Sequence, residues 1–259
     1  MKNNLIKAKT FGSLDHDMYF NTDVSISFDT LEHSKTSNIK VLVQIEPPEI
    51  QDQKKIFIEN HKIFDLILTW DEDILDSCDN AKKFIFGTCW IDFDSFKPNK
   101  RNKISFILSN KNYAPGHILR HGVWGYLSNK TSINNFELLK IMTPPRIESK
   151  NILFEDSKYH IVIENCSRKN WVTEKLIDCL STKTIPIYWG CSNIGEIFNE
   201  KGIIKFKNID ELNFILETLD MDFYEKSINV IEENYEKSKE YFDFYGRITN
   251  EINKYILKK

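Results

Sequence analysis

A short polar segment carries the residues of this sequence that are best suited to bind a charged ligand. Residues 164–170 read Glu-Asn-Cys-Ser-Arg-Lys-Asn, and Trp171, Glu174 and Lys175 follow them closely. A lysine supplies a full positive charge for a phosphate, and a glutamate accepts hydrogen bonds from the hydroxyls of a ribose or a sugar. The indole of Trp171 offers a flat face for a base or a sugar. These residue types indicate a site for a phosphorylated ligand that is rich in hydroxyl groups.

The segments on either side of this loop predict a β-strand, an α-helix and a second β-strand. Tyr159 to Ile163 alternates and is rich in β-branched residues, and Thr184 to Trp189 is a second apolar strand. Between them, Trp171 to Ser181 has an apolar stripe at helical spacing, with Asn170 as a plausible N-cap. Such a unit is right-handed and pairs its strands in parallel. The loop then lies beyond a strand end and before a helix N-terminus, where a pyrophosphate is attracted.

A simpler interpretation of the same residues requires no ligand. Glu174 and Lys175 could form a solvated helix face, and Trp171 could be a core residue. The residue types and their spacing are compatible with both interpretations.

The order of these motifs resembles the donor-binding signature of the glycosyltransferase family 10 α1,3/4-fucosyltransferases. In that signature, Glu-Asn is followed after five or six residues by Tyr-Val-Thr-Glu-Lys, then by a helix and an apolar strand. Residues 164–175 and 184–190 match it, with Trp171 in place of the tyrosine. The resemblance implies an inverting enzyme that transfers fucose from GDP-fucose to a hydroxyl of a glycan acceptor. The residues that it assigns to the donor pocket are Asn165, Trp171, Val172, Thr173, Glu174 and Lys175.

An upstream segment contributes another candidate residue of the donor site, Arg120. Ile104 to Asn110 predicts a strand, residues 114–116 break the chain, and His117 to Leu127 predicts a helix with Arg120 in its first turn. A guanidinium at this place can bind a phosphate through two hydrogen bonds. The resemblance assigns Arg120 to the donor diphosphate. A surface arginine on an amphipathic helix is the alternative.

An acidic, proline-containing turn in the first half of the chain contains the candidate general base. Ile39 to Ile45 predicts a strand, and Glu46-Pro47-Pro48-Glu49 follows it. The hydroxyl of an acceptor is a weak nucleophile until a base removes its proton. In the family that this chain resembles, a glutamate of such a turn is the proposed base, and a gapless alignment puts Glu46 at its position. The two prolines depart from the family's turn, so Glu49 stays open as the alternative.

Metal ions and other cofactors are not expected, because cationic side chains at the diphosphate make a metal unnecessary. Four Asp-x-Asp tripeptides occur, but the chain has 38 acidic residues and no tripeptide follows a strand in a nucleotide-binding context. His117 and His121 are four residues apart, yet a third ligand is not evident nearby.

Composition restricts the classes of partner. The chain has 259 residues, of which 41% are hydrophobic, and a formal net charge of −3, which disfavours nucleic acid as a partner. No apolar run reaches about 18 residues, so we expect no transmembrane segment. The polar start, Met1 to Thr10, and five cysteines without Cys-x-x-Cys spacing favour the cytoplasm, either free or beside a membrane where glycans are assembled. The oligomeric state is not indicated.

Strand and helix signals alternate in both halves of the chain, which predicts an α/β fold. The resemblance implies the GT-B type, with two Rossmann-like domains facing a cleft and a small N-terminal domain. Lys97 to Lys103 is polar, basic and broken by proline, which predicts a linker. We therefore expect an acceptor-side domain with the base over residues 1–98 and a nucleotide-sugar domain over residues 99–259. The segment from Phe223 to Leu257 predicts a long, charged helix that could return to the first domain.

Two other functions fit the same motifs. The fold could use a different nucleotide-sugar donor, or the chain could bind a nucleotide sugar without catalysing a transfer. A non-catalytic binder would keep the pocket at residues 164–175 but could dispense with Glu46.

Overall fold

A computed structural model of the protein describes residues 5–145 and 147–259, and residues 1–4 and 146 lie outside that description. Its strands are β1 (Ile6–Lys7), β2 (Lys9–Gly12), β3 (Tyr19–Phe20), β4 (Val24–Phe28), β5 (Ile39–Val43), β6 (Leu66–Thr69), β7 (Ala81–Lys83), β8 (Arg101–Ser109), β9 (Ser132–Ile133), β10 (Phe136–Thr143), β11 (Ser157–Ile163), β12 (Ile185–Trp189) and β13 (Ile204–Lys205). Its α-helices are α1 (Lys54–Glu59), α2 (Glu72–Ser77), α3 (Pro115–Leu127), α4 (Asn151–Phe154), α5 (Glu174–Ser181), α6 (Ile209–Thr218), α7 (Phe223–Lys226), α8 (Ile228–Ser238) and α9 (Phe244–Ile256).

The described chain divides into two units. The first extends to Phe86 and also contains residues 169–171 and 243–259, whereas the second contains the segment from Gly87 to Arg168 and residues 172–242. The division therefore comes earlier than the predicted boundary between residues 98 and 99. Gly87 begins the second unit, and its backbone N–H donates to the carbonyl oxygen of Val172 in the same unit at 2.9 Å. The predicted linker is not one, because Lys97 to Lys103 leads directly into β8.

The first unit is built around a parallel sheet with the strand order β2-β4-β5-β6-β7. Its central strands β4 and β5 consist almost entirely of buried residues, as is typical of a parallel sheet covered on both faces. Phe244, Ile248 and Ile252 of α9 join the core of this unit at helical spacing.

The segment that was predicted as one long helix, Phe223 to Leu257, forms three α-helices. α7 ends before Ser227, α8 ends at Ser238, and α9 begins after its N-cap Asp243, whose side chain accepts the N–H of Gly246. Side-chain capping by Asp243 thus marks the start of α9, whereas Ser227 before α8 makes no such bond. Of the described helices, not one combines the length and the apolar character that a membrane span requires.

The second unit is built around a sheet with the strand order β13-β12-β11-β8-β10-β9. Its strands pair in parallel, except that β9 and β10 are antiparallel. From β8 the chain moves to β10 on one side and then returns to β11 on the other side. The strand order therefore reverses between β8 and β11. Open α/β sheets bind their ligands at such a reversal, outside the carboxyl ends of the strands.

The predicted strand–helix–strand unit is present as β11, α5 and β12, and the two strands are parallel. Helix α5 nevertheless begins at Glu174 instead of Trp171, and its N-cap is Thr173 instead of Asn170. Thr173 has extended backbone and accepts the N–H of Lys175, whereas Asn170 has a left-handed φ of 59°. Residues 169–171 belong to the first unit, so the helix of the second unit starts after them.

Candidate functional site

A cavity of about 310 Å³ lies at the carboxyl ends of β8, β10 and β11 in the second unit. Ser109, Thr143 and Ile163 are the last residues of these strands, and all three line the cavity. The cavity is therefore at the point where the strand order of the sheet reverses. The sheet topology positions it where the sequence predicted a ligand.

The described lining of this cavity is strongly cationic. Its positively charged side chains are Lys111, Arg120, Lys150 and Lys175, and Glu174 is the single carboxylate among the described lining residues. His117 adds no charge at neutral pH, because its burial and the nearby charge of Arg120 lower its pKa to about 4. Such an excess of positive charge favours an anionic ligand.

Glu174 and Lys175 form an ion pair at the first turn of α5. Lys175 Nζ lies 2.9 Å from Glu174 Oε1 and 3.3 Å from Thr173 Oγ1. Burial opposes the charge of Glu174, but Lys175 and Lys150 outweigh that effect and lower the pKa of Glu174 to about 2. Burial also opposes the charge of Lys175, but Glu174 and Glu164 together outweigh it, and the pKa of Lys175 is raised. Glu174 is only 7% exposed, so the interpretation of this pair as a solvated helix face is wrong.

A buried carboxylate that the sequence analysis did not single out fixes the start of α5. Glu164 accepts hydrogen bonds from the backbone N–H of Thr173 at 3.0 Å and from its hydroxyl at 2.6 Å. These bonds connect the end of β11 to the N-cap of α5. Of the predicted donor residues, Val172 and Thr173 are buried, and neither is among the described residues that line the cavity. Both have a supporting position.

Arg120 reaches the same cavity from α3. This helix begins at Pro115, earlier than predicted, so Arg120 lies in its second turn and is 7% exposed. Its Nε and Nη2 donate to the carbonyl oxygen of Ile163 at 3.0 and 2.5 Å, and Nη2 also donates to Asn165 Oδ1 at 2.9 Å. These bonds hold the guanidinium in the cavity wall, so the surface-arginine alternative is wrong. Nη1 has no hydrogen-bond partner among the described residues and can donate to a ligand.

Trp171 is a core residue of the first unit, as the simpler interpretation held. It is 1% exposed, and its ring stacks on Phe86 with the centroids 5.9 Å apart and the planes 10° apart. The ring of Trp70 lies against it at 4.8 Å. Trp171 is not among the described residues that line the cavity, and its assignment to the donor pocket stays a prediction.

The candidate base Glu46 follows β5 in the first unit, and a buried carboxylate holds its backbone. The N–H of Ile45 donates to Asp29 Oδ1 at 2.7 Å, and the N–H of Glu46 donates to Asp29 Oδ2 at 3.2 Å. Asp29 is 5% exposed, directly follows β4 and has a left-handed φ of 51°. The sequence analysis did not identify Asp29, although a carboxylate directly after an apolar strand was the signal available for it. Asp29 fixes the backbone conformation of the turn that presents Glu46.

The stability of the folded protein should depend on pH through Asp29. Burial raises the pKa of Asp29 to about 7, against the lowering effect of the two N–H donors. The folded protein therefore binds a proton between about pH 4 and 7 that the unfolded chain releases, and stability falls as the pH rises through this range. Asn in place of Asp29 keeps an oxygen acceptor, tolerates a left-handed φ and does not titrate.

Between pH 5 and 8, we therefore expect the free energy of unfolding of the wild-type protein to fall by on the order of 2 kcal/mol relative to that of Asp29→Asn. Urea unfolding of both proteins at the two pH values measures this difference. A difference between the two proteins that stays the same at both pH values would contradict a buried, titrating Asp29.

Comparisons with known proteins identify relatives of this chain. The family described as "Glycosyltransferase family 10 (fucosyltransferase) C-term" matches residues 97–251. The α-(1,3)-fucosyltransferase FucT of Helicobacter pylori is 32% identical over 126 residues, which are 48% of this chain and 26% of that protein. The chain thus matches about a quarter of the length of this curated relative.

Solved structures extend the likeness to most of the chain. The crystal structure of an α1,3-fucosyltransferase with GDP has a TM-score of 0.51 and 21% identity, and the match covers 87% of this chain and 77% of that one. The crystal structure of an α1,3-fucosyltransferase with GDP-fucose has a TM-score of 0.50 and 21% identity, and the match covers 86% of this chain and 77% of that one. These similarities confirm the predicted fold class, α/β of the GT-B type. Because the family pattern extends over more than half of its residues, the chain belongs to glycosyltransferase family 10.

Proposed function

We propose that this protein is an inverting glycosyltransferase that transfers fucose from GDP-fucose to a hydroxyl of a glycan acceptor. The observation that carries the proposal is that Arg120, Asn165, Glu174 and Lys175 all line one cationic cavity at the strand reversal of the second unit. Membership of family 10 supports it, as do the solved α1,3-fucosyltransferases with GDP and GDP-fucose.

Four residues of the cavity have a role in the proposed donor complex. Arg120 Nη1 and Lys175 Nζ bind the diphosphate, because both are cationic donors on the cavity wall. Asn165 keeps the guanidinium of Arg120 in place through its 2.9 Å hydrogen bond. Glu174, which stays ionised, accepts hydrogen bonds from ribose hydroxyls.

The proposed reaction is a single displacement at the anomeric carbon of fucose. The acceptor oxygen forms a bond to this carbon from the face opposite the diphosphate, while the bond from the carbon to the diphosphate oxygen breaks and GDP leaves. The hydroxyl proton goes to a carboxylate, for which we propose Glu46, with Glu49 as the alternative. Charge develops on the leaving diphosphate, so Arg120 and Lys175 stabilise the transition state more than the ground state. No metal ion or other cofactor takes part in this scheme.

The test is incubation of the protein with GDP-fucose and a panel of N-acetyllactosamine-type acceptors. We expect release of GDP and a product whose anomeric configuration, read by NMR, is inverted. A folded protein that releases no GDP with any acceptor or with water would contradict the proposal.

Thermal stabilisation by nucleotides, together with GDP release, distinguishes the proposed function from two other functions. A different donor would appear as larger thermal stabilisation by UDP or CMP than by GDP, because a ligand stabilises the folded state according to its affinity. A non-catalytic binder would be stabilised by GDP without releasing it from GDP-fucose.

The proposed diphosphate contact predicts a large effect at Lys175. Lys175→Met should lower kcat/KM for GDP-fucose by roughly 100- to 1,000-fold, since it removes a preorganised charge at the leaving group. Lys226→Met is the matched control, because Lys226 lies in the same unit, pairs with Asp220 at 2.8 Å and is 63% exposed. Steady-state GDP release measures both variants well below their unfolding temperatures. A wild-type rate for Lys175→Met would exclude this lysine from the diphosphate site.

A further inference from the structure

Trp90 is a large exposed side chain at the cavity of the second unit. It is 57% exposed and lines the 310 Å³ cavity described above. It also lines an adjoining cavity of about 860 Å³, which shares Ile107, Lys111 and Lys150 with the first. An exposed indole in a cavity wall is a surface on which a planar ring can stack.

The position of Trp90 is fixed in spite of its exposure. Its backbone N–H donates to Asp178 Oδ1 at 2.6 Å, and Asp178 is fully buried. Lys150 Nζ donates to the other oxygen of Asp178 at 2.8 Å and lies 4.2 Å from the centroid of the Trp90 ring. The ring is therefore held before a ligand arrives, which reduces the entropy that binding would lose.

A chain of contacts connects Trp90 to the proposed diphosphate site. Lys175 Nζ is 2.9 Å from Glu174 Oε1, Lys150 Nζ is 3.9 Å from the same oxygen, and Lys150 lies against Trp90. The chemistry along this path changes from a cation, to a carboxylate that accepts hydrogen bonds from hydroxyls, and then to an aromatic ring whose face carries a second cation, Lys150. A nucleoside diphosphate presents a diphosphate, a ribose and a planar base in the same order.

We propose that Trp90, held by Lys150 and Asp178, is the stacking platform for the base of a nucleoside diphosphate. This inference rests on the proposed function and assigns to Trp90 the role that the sequence had suggested for Trp171. An acceptor sugar could also pack on an indole. The base is favoured because the cation and the carboxylate that precede it on the path fit a diphosphate and a ribose.

The experiment compares GDP with inorganic pyrophosphate, which has the diphosphate and lacks the base. Calorimetric titration of Trp90→Ala should show GDP affinity reduced roughly 5- to 100-fold. The affinity for pyrophosphate should stay within about 2-fold of wild type, because Arg120 and Lys175 are intact. Trp124→Ala is the matched control, since Trp124 lies in α3 of the same unit and is not among the described residues that line either cavity.

A fluorescence measurement reads the stacking directly. GDP should quench the tryptophan emission of wild-type protein and of Trp124→Phe, and the quenching should be largely lost in Trp90→Phe. Phe keeps an aromatic ring, so this variant also retains most of the GDP affinity.

The remaining outcomes overturn either the platform alone or the platform together with the donor site. Equal GDP affinity in Trp90→Ala and wild type, or a rise in acceptor KM alone, overturns the base platform and leaves the donor site intact. Equal affinities of the wild-type protein for GDP and for pyrophosphate would also overturn the platform, because the guanosine of GDP would then add nothing to binding. Wild-type protein that binds neither ligand overturns the donor site of the proposed function together with the platform.

Discussion

Replacing Glu46 by glutamine should lower the rate constant of fucosyl transfer by roughly 100- to 10,000-fold and leave the affinity for GDP unchanged. We expect the affinity to be preserved because Glu46 is not among the described residues that line the 310 Å³ cavity, which we propose as the GDP site. Glutamine has nearly the same shape, and the backbone of residue 46 stays bound to Asp29. What the substitution removes is the capacity to accept a proton.

Azide separates a lost base from a lost structure. This anion attacks the anomeric carbon without a proton to lose, so wild type and Glu46→Gln should form fucosyl azide at similar rates. Glu49→Gln is the matched control, and it also tests the alternative base. If Glu49→Gln loses transfer and Glu46→Gln keeps it, the base is Glu49. If both variants transfer fucose to the acceptor at the wild-type rate, the base is outside this turn.

The strand–helix–strand unit around the donor residues could be predicted from the sequence because its signals are local. β-branched alternation in β11 and the apolar stripe of α5 are both readable within about ten residues. A parallel pair then brings the loop after β11 to the ligand-binding edge of a sheet. The same rule places Arg120 near Asn165, because α3 follows the neighbouring strand β8.

The positions of the aromatic side chains could not be predicted, because they depend on contacts between distant parts of the chain. The aromatic ring of Trp171 packs against Trp70 and Phe86, and a local pattern contains no information about such partners. Trp90 lies in an irregular segment, and the hydrogen bond that holds its backbone is accepted by Asp178, 88 positions away in the sequence. The sequence predicted an aromatic ring for a planar ligand, but it did not predict which position supplies that ring.

The supporting carboxylates were the least predictable part of the site. Glu164 and Asp29 act through backbone N–H groups of residues 9 and 16 positions away. Neither spacing corresponds to a helix or strand period, so periodicity does not reveal it. Buried carboxylates are rare unless they are paired or hydrogen-bonded. A carboxylate directly after an apolar strand therefore indicates a supporting role of this kind.

Gly116→Ala should destabilise the second unit by about 3 kcal/mol or more and reduce GDP affinity at least about 100-fold. Gly116 is the second residue of α3, and its N–H donates to the carbonyl oxygen of Asn165 at 2.9 Å. A Cβ at this position would lie 1.7 Å from the carbonyl oxygen of Glu164 and 2.8 Å from its carbonyl carbon. Both are backbone atoms at the end of β11, so no side-chain rotation relieves the clash.

Relief of this clash requires α3 to move away from the end of β11, and Arg120 moves with it. The hydrogen bonds of Arg120 to Ile163 and Asn165 would break, and the diphosphate would lose a cation that the fold now holds in place. Gly125→Ala in the same helix is the control, because its Cβ would have no atom within 4 Å. It should be neutral or stabilise the protein by up to about 1 kcal/mol through helix propensity. Urea unfolding and GDP titration measure both variants, and wild-type GDP affinity in Gly116→Ala would mean that the close approach of α3 to β11 does not build the donor site.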